Sequence, residues 1–149
     1  VNYQEWEADV PLAISGDILW KVKVYRLALF AADIAWQDVT TLARDRRTAP
    51  LADQLYRALG SIGANIAEGY SRSSTKERAH FYEYALGSAR ESRDWYYKAR
   101  HVLSEATTSH RLNLISEIIR LLLVMVPDQR TRAIKEDTVE YQVMSEQQN

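Results

Sequence analysis

The sequence predicts an all-α fold, an antiparallel up-down-up-down bundle of four helices, and three observations point there. Breakers are scarce, with 5 Gly and 3 Pro in 149 residues. Apolar residues recur at spacings of three and four over long stretches, the period of a helix face. The segments between those stretches are short, which favours antiparallel neighbours. A chain of this length can bury a sizeable core as one domain.

Residues 1–14, with Pro11 near their end, read as an irregular arm, and residues 15–127 as the bundle. The first helix is expected from about Ser15 and Asp17, a capping residue and an acid in the first turn, to about Ala43. One stripe is Leu19, Val22, Arg26, Phe30 and Asp33, but Ile18, Trp20, Tyr25, Leu29, Ile34 and Trp36 spread apolar character around most of the circumference. A helix apolar nearly all round is buried on more than one side, so a second copy of the chain is expected to cover it. Arg44 to Pro50 is a charged loop closed by proline. The second helix follows from Leu51, with Leu51, Leu55, Leu59, Ile62 and Ile66 on one face. Beside that face lie Gly60, Gly63 and Ala64, small enough for close approach of another backbone, which would compensate the cost of about 1 kcal/mol for each helical glycine.

Gly69 offers a helix C-terminus. Ser74-Thr75-Lys76-Glu77 has the Ser and Glu spacing of a capping box and starts the third helix, to about Leu103. Its apolar stripe is Phe81, Tyr84, Ala85, Ser88, Ala89, Trp95, Tyr96 and Ala99. Ala106 to Ser109 make the last turn, with Thr107 or Thr108 as cap. The fourth helix carries Leu112, Leu114, Ile115, Ile118, Ile119, Leu122, Leu123 and Val126 until Pro127 stops it. Residues 128–149 read as a polar, flexible tail.

No cysteine is present, which excludes disulfides, thiolate metal sites and cysteine nucleophiles and fits a reducing cytoplasm. Apolar runs such as Leu121–Pro127 fall far short of the roughly 20 residues of a membrane span. The acidic and aromatic opening Val1–Glu7 shows no leader pattern. Net charge is −1, yet residues 15–132 hold 18 Lys and Arg against 13 Asp and Glu, leaving a basic centre between acidic ends. Arginine outnumbers lysine 14 to 5, a bias that suits bidentate phosphate contacts as well as ion pairs between helices, for example Arg90 with Asp94. The candidate nucleic-acid contacts are Lys21, Lys23 and Arg26 on the first helix, Arg72, Lys76 and Arg78 around the turn, and Arg90 and Arg93 on the third, with Lys98 and Arg100 beyond them. Tyr82, Trp95, Tyr96 and Tyr97 could stack on bases but at helical spacing belong to core or interface.

Asn65 and Glu68 share a face of the second helix, and Ser88 and Glu91 a face of the third. Where those faces meet, Ser61, Asn65, Glu68, Arg72, Ser88 and Glu91 form a structural polar cluster that fixes register. The catalytic rival, Glu68 and Glu91 as paired carboxylates, lacks a third group and a cleft. His80 and His101 lie too far apart on one helix to share a metal, and Gly60, Gly63 and Gly69 sit within or just after a helix and lack the Lys-Ser/Thr of a phosphate-binding loop, so no catalytic residue, metal or cofactor is expected. A protein-binding scaffold remains the alternative, with Trp6 in the arm or Tyr141 and Val143 in the tail as the apolar patch.

The run Ser61-Ile62-Gly63-Ala64-Asn65-Ile66-Ala67-Glu68-Gly69-Tyr70-Ser71-Arg72, followed by Phe81 and then Ala85-Leu86-Gly87-Ser88-Ala89-Arg90-Glu91, resembles the four-helix-bundle family of 23S ribosomal RNA intervening-sequence proteins. The resemblance covers about residues 15–127. It implies a bacterial homopentameric ring of unknown activity. A related branch is similar to the accessory protein of diversity-generating retroelements, a basic pentamer that partners a reverse transcriptase and nucleic acid. The chain departs from that branch in its net charge. Residues and resemblance together lead to the expectation of a non-enzymatic homo-oligomeric scaffold, with RNA or DNA as its leading partner.

Overall fold

The computed structural model describes the backbone of residues 1–147 and the side chains of residues 1–135 and 137. Among these residues all regular structure is helical. Two short helices, α1 (Tyr3–Asp9) and α2 (Leu12–Ser15), precede a 3-10 turn over Ile18–Lys21. Four long helices follow, α3 (Lys23–Ala43), α4 (Ala49–Tyr70), α5 (Thr75–Lys98) and α6 (Glu105–Gln147). Consecutive long helices pack along one another, and α3 meets α6 over a shorter stretch. Gly69 lies against Phe81 and Tyr82, while Ser61, farther from the turn, bonds Ser88, so α4 and α5 run antiparallel.

The expected arm is instead a folded element. Asn2 accepts from the Glu5 amide at 2.9 Å while Glu5 accepts from the Asn2 amide at 3.2 Å, a reciprocal capping box that starts α1. Tyr3 meets Phe30 edge-on with centroids 5.4 Å apart, and Trp6 packs on both Phe30 and Trp20. Trp6 Nε1 donates to Asp33 at 2.7 Å. Part of the apolar circumference of α3 is thus covered by the chain's own N-terminal residues, and Trp6 is no free patch.

The helix boundaries follow from local capping. Asp17 does cap, accepting from the Leu19 amide at 2.8 Å, but it opens the 3-10 turn; extended Val22 then delays α3 to Lys23. The buried Thr48 hydroxyl donates to the Leu42 carbonyl at 2.7 Å and closes the α3–α4 turn. Pro50 lies inside the first turn of α4, where its missing N–H costs nothing. Ser74 caps α5 by accepting from the Glu77 amide. After a 3-10 turn over Ala99–His101, Ser104 rather than Thr107 or Thr108 caps α6, accepting from the Thr107 amide at 3.1 Å.

Pro127 does not end α6. It is exposed, as is Leu123 four residues before it, so the turn that loses a hydrogen bond lies on the solvent side of the helix. Beyond it Arg130 pairs with Glu83 of α5 at 2.9 Å and Ala133 is buried, which extends the packed region past residue 127. Residues 128–147 continue the helix rather than forming an irregular tail; Tyr141 and Val143 lie outside the described side chains.

The core joins Val24, Leu27, Ala28, Ala31, Ala35 and Leu42 of α3 to Leu55, Leu59, Ile62 and Ile66 of α4. From the other side come Tyr82, Ala85, Ala89 and Tyr96 of α5 and Ile115, Ile118, Ile119 and Leu122 of α6. The stripe of α5 centres on Tyr82 rather than Phe81 and Tyr84; Tyr84 is 51% exposed. Its alanines let α5 sit closely between α4 and α6. Ala64 faces solvent, so leucine there would meet no neighbouring helix of the same chain.

Polar joints and a candidate nucleic-acid interface

Of the six residues expected to cluster, three meet across helices. Ser88 Oγ donates to Ser61 Oγ at 3.0 Å, and Asn65 Nδ2 donates to both Ser61 Oγ at 2.9 Å and the Ser61 carbonyl at 2.8 Å. The chain of bonds ties the registers of α4 and α5. Glu68 instead takes Arg72 at 3.0 Å in an exposed i,i+4 pair, and Glu91 accepts from Trp95 Nε1 at 3.2 Å. In the antiparallel register Glu68 stands near the level of Tyr82, about nine residues from Glu91, or roughly 13 Å at 1.5 Å per residue. The two carboxylates therefore do not form an acid–base pair.

A second polar link was not foreseen. Asp38, 4% exposed on α3, accepts from Tyr96 Oη at 2.7 Å and from Arg111 Nε at 2.7 Å and Nη2 at 3.2 Å. It joins α3, α5 and α6 in one buried site. The sequence held a signal: Ala31, Ala35, Asp38 and Leu42 step by four, three and four, which places an acid on the buried stripe of α3. Burial drives the Tyr96 phenol well above its ordinary pKa, and the charge of Asp38 and its hydrogen bond push the same way. Burial works against the charge of Arg111, but its bonds to Asp38 outweigh that and raise its pKa.

His110 borders this link, its Nδ1 lying 2.7 Å from Arg111 Nη1. Burial, then the charge of Arg111, lower its pKa, against a smaller opposing effect of Asp38. The fold thus favours the neutral imidazole, which accepts from Arg111. Its contribution to stability is present above the ordinary histidine pKa of about 6.5 and is lost as pH falls through the lower folded value. Urea midpoints measured from pH 7 down to about pH 5 should fall less steeply for His110→Gln than for the parent; identical slopes would remove His110 from the balance.

The basic candidates divide into two groups. Arg26 is consumed by the N-terminal segment, donating to Tyr3 Oη at 3.1 Å and to the Trp20 carbonyl at 2.5 Å beside Glu7. Arg78 donates to the Arg72 carbonyl at 2.6 Å, Arg93 reaches Ser116 at 3.4 Å, and Arg72 is shared between Glu68 and the Phe81 ring. These four have structural work. Lys21, Lys23, Lys76 and Arg90 are exposed and make no ion pair among the described residues, so Asp94 pairs with Lys98 at 2.6 Å rather than with Arg90. Arg100 lies 4.1 Å over the exposed Tyr97 ring. Of the four aromatic residues weighed for stacking, Tyr82 and Tyr96 are core.

A family model described as 23S rRNA-intervening sequence protein matches residues 21–123. The chain belongs to this family. The 23S rRNA-intervening sequence protein match takes in Asp38, the Ser61–Asn65–Ser88 joint, Tyr96 and Arg111, whereas α1, α2 and the end of α6 lie outside it. The fold is similar to a crystal structure of a protein of unknown function from the S23 ribosomal protein family of Bacteroides thetaiotaomicron VPI-5482. The TM-score is 0.63 at 23% identity over 69% of this chain and 97% of that one. No curated protein matches.

Two of the open clefts of this family member border the residues described above. One, of about 540 Å³, is lined by Trp6, Asp33, Trp36, Gln37, His110 and Arg111 and borders the buried Asp38 site. The other, of about 380 Å³, lies between the α4–α5 turn and α6. Among the described residues no group of three or more His, Asp or Glu is placed to hold a metal ion, and His80 bonds Tyr84 at 2.6 Å. No helix among them is long and apolar enough to cross a membrane.

Proposed function

We propose that this family member is a non-enzymatic, homo-oligomeric four-helix scaffold of up-down-up-down topology, assembled as a pentameric ring and holding nucleic acid on its basic surface. The observation that carries the assembly is an unpartnered face on α3 and α4. Trp36, 64% exposed, meets the exposed Tyr56 edge-on at 5.7 Å, and the same face of α4 continues through Gly60 and Ala64. A Cβ added at Gly60 would meet nothing within 4 Å among the described residues. A mid-helix glycine costs about 1 kcal/mol relative to alanine, so one without close packing inside the chain is explained by close approach of a neighbouring copy. The likeness to the family favours five copies, and the exposed Lys21, Lys23, Lys76 and Arg90, repeated around a ring, supply a surface that gains by avidity.

Light scattering should give a mass near five subunits, and Gly60→Leu should reduce it to smaller species while circular dichroism stays unchanged. A monomeric parent at micromolar concentration would overturn the assembly. Adding single-stranded and duplex nucleic acid at low and moderate salt should give complexes whose affinity falls steeply with salt. Assembly without any nucleic-acid complex would leave a protein, such as a reverse transcriptase, as the partner to test on the exposed Leu12, Ile14 and Ile18.

A further inference from the structure

The cleft beside the α4–α5 turn brings cations and aromatic rings together on an open surface. It is lined by Arg72, Lys76, Glu77, His80, Phe81 and Arg130. Arg72 holds its guanidinium 5.0 Å from the centre of the Phe81 ring, and His80, Phe81 and Tyr84 form a connected edge-to-face group with centroids 4.5–6.5 Å apart. Tyr84 and His80 are exposed and Phe81 is only half-buried, so these rings forgo much of the burial that ordinarily explains them. Lys76 lies in the first turn of α5, where the helix dipole disfavours a cation, and it has no ion-pair partner among the described residues. Its placement is not explained by the electrostatics of the chain alone.

We propose that this cleft seats one unpaired nucleotide of a single strand. The inference rests on the nucleic-acid reading and assigns its site and strand type. Stacked rings beside cations are the physical requirement for single-strand binding, since every base offers a π-face and every linkage a phosphate. At about 380 Å³ the space suits one nucleotide and not a duplex. A base entering it meets Phe81, His80 and the Arg72 guanidinium, and the flanking phosphates fall to Lys76 and Arg130. Arg72 donates to Glu68 through Nη2, which leaves its other N–H groups for a phosphate, and Arg130 is held at the rim by Glu83. Glu77 is the acid on the wall. It repels bare phosphate but accepts from the amine of a base, so it selects a nucleotide over an inorganic anion.

Fluorescence anisotropy of a short labelled mixed-sequence oligonucleotide, single-stranded and duplex, tests this with the full chain. Phe81→Leu keeps an apolar side chain against Gly69 and removes the π-face; it should weaken single-strand binding about tenfold and leave duplex binding unchanged. Tyr84→Ala and His80→Ala, both at exposed positions, should each weaken the single strand, and Lys76→Glu should weaken it with a shallower salt dependence. Single-strand binding that survives all four substitutions but is lost in Lys21→Glu/Lys23→Glu overturns the cleft and leaves the nucleic-acid reading standing. A parent that binds neither strand nor duplex overturns both. AMP or inorganic phosphate displacing the strand at concentrations comparable to its own shows a free small-molecule site and overturns the strand assignment.

Discussion

Replacing Asp38 with alanine is expected to cost about 3–5 kcal/mol of folding stability, read as a lowered urea midpoint with an unchanged slope. The carboxylate is the common acceptor for Tyr96 and Arg111, so its removal leaves a buried phenol without an acceptor and a half-buried guanidinium with His110 as its remaining partner. The loss belongs to those abandoned groups rather than to the worth of the ion pair itself, because the desolvation of all three residues already offsets much of their attraction. Two further variants separate these quantities. Adding Tyr96→Phe and Arg111→Met to Asp38→Ala should recover part of the loss, since no donor is then left unpaired. Asp38→Asn should fall between, because its carbonyl still accepts from Tyr96 while the charge opposite Arg111 is gone. A cost below about 1 kcal/mol for Asp38→Ala would show that Arg111 simply turns to solvent and that the site contributes no coupling between α3, α5 and α6.

How much of this was legible in the sequence depends on the range of the interaction. Helix faces set by three- and four-residue spacing were readable: Leu55, Leu59, Ile62 and Ile66 are all fully buried, as are Ile115, Ile118 and Leu122. Short-range capping was readable where the residues matched the commonest form, as at Ser74, and missed where asparagine replaced serine at Asn2. The consequence reaches the core, because residues 1–14 lack a long helical period and yet cover Phe30 through Tyr3 and Trp6. Proline was read as a full stop at Pro127, but its cost depends on whether the freed carbonyl can reach water, and exposure is a tertiary property. Partner choice among charged residues was the least legible feature. Arg26 and Lys23 are three residues apart, yet one holds Tyr3, Trp20 and Glu7 while the other points to solvent, and only the packed chain distinguishes them.

Gly69→Ala is expected to destabilise the fold by about 1–3 kcal/mol, although alanine is the better helix former. The sequence offers Gly69 as a helix C-terminus, and α4 does end beside it at Tyr70, but no glycine among the described residues has a positive φ, so conformational freedom is not what the position requires. Its requirement is space. A Cβ there would lie 2.8 Å from Phe81 Cβ and 3.0 Å from Tyr82 Cε1. Phe81 Cβ is fixed to the backbone of α5, and the Tyr82 ring is buried in the core, so neither yields as a flexible side-chain tip would. The two helices must separate where the turn joins them, and the cleft formed by Arg72, Lys76 and Phe81 widens with them. Gly63→Ala supplies the control. The same added atom would stand 3.7 Å from Leu29 Cδ2 and 3.8 Å from Ala28 Cβ, ordinary contact distances, so the gain in helix propensity should leave stability unchanged or raised by up to about 1 kcal/mol. Thermal unfolding of the two variants side by side decides the matter. Equal and small effects would mean that α5 can move away from Gly69 at no cost, and the close approach of α4 and α5 at their turn would then be incidental to the fold.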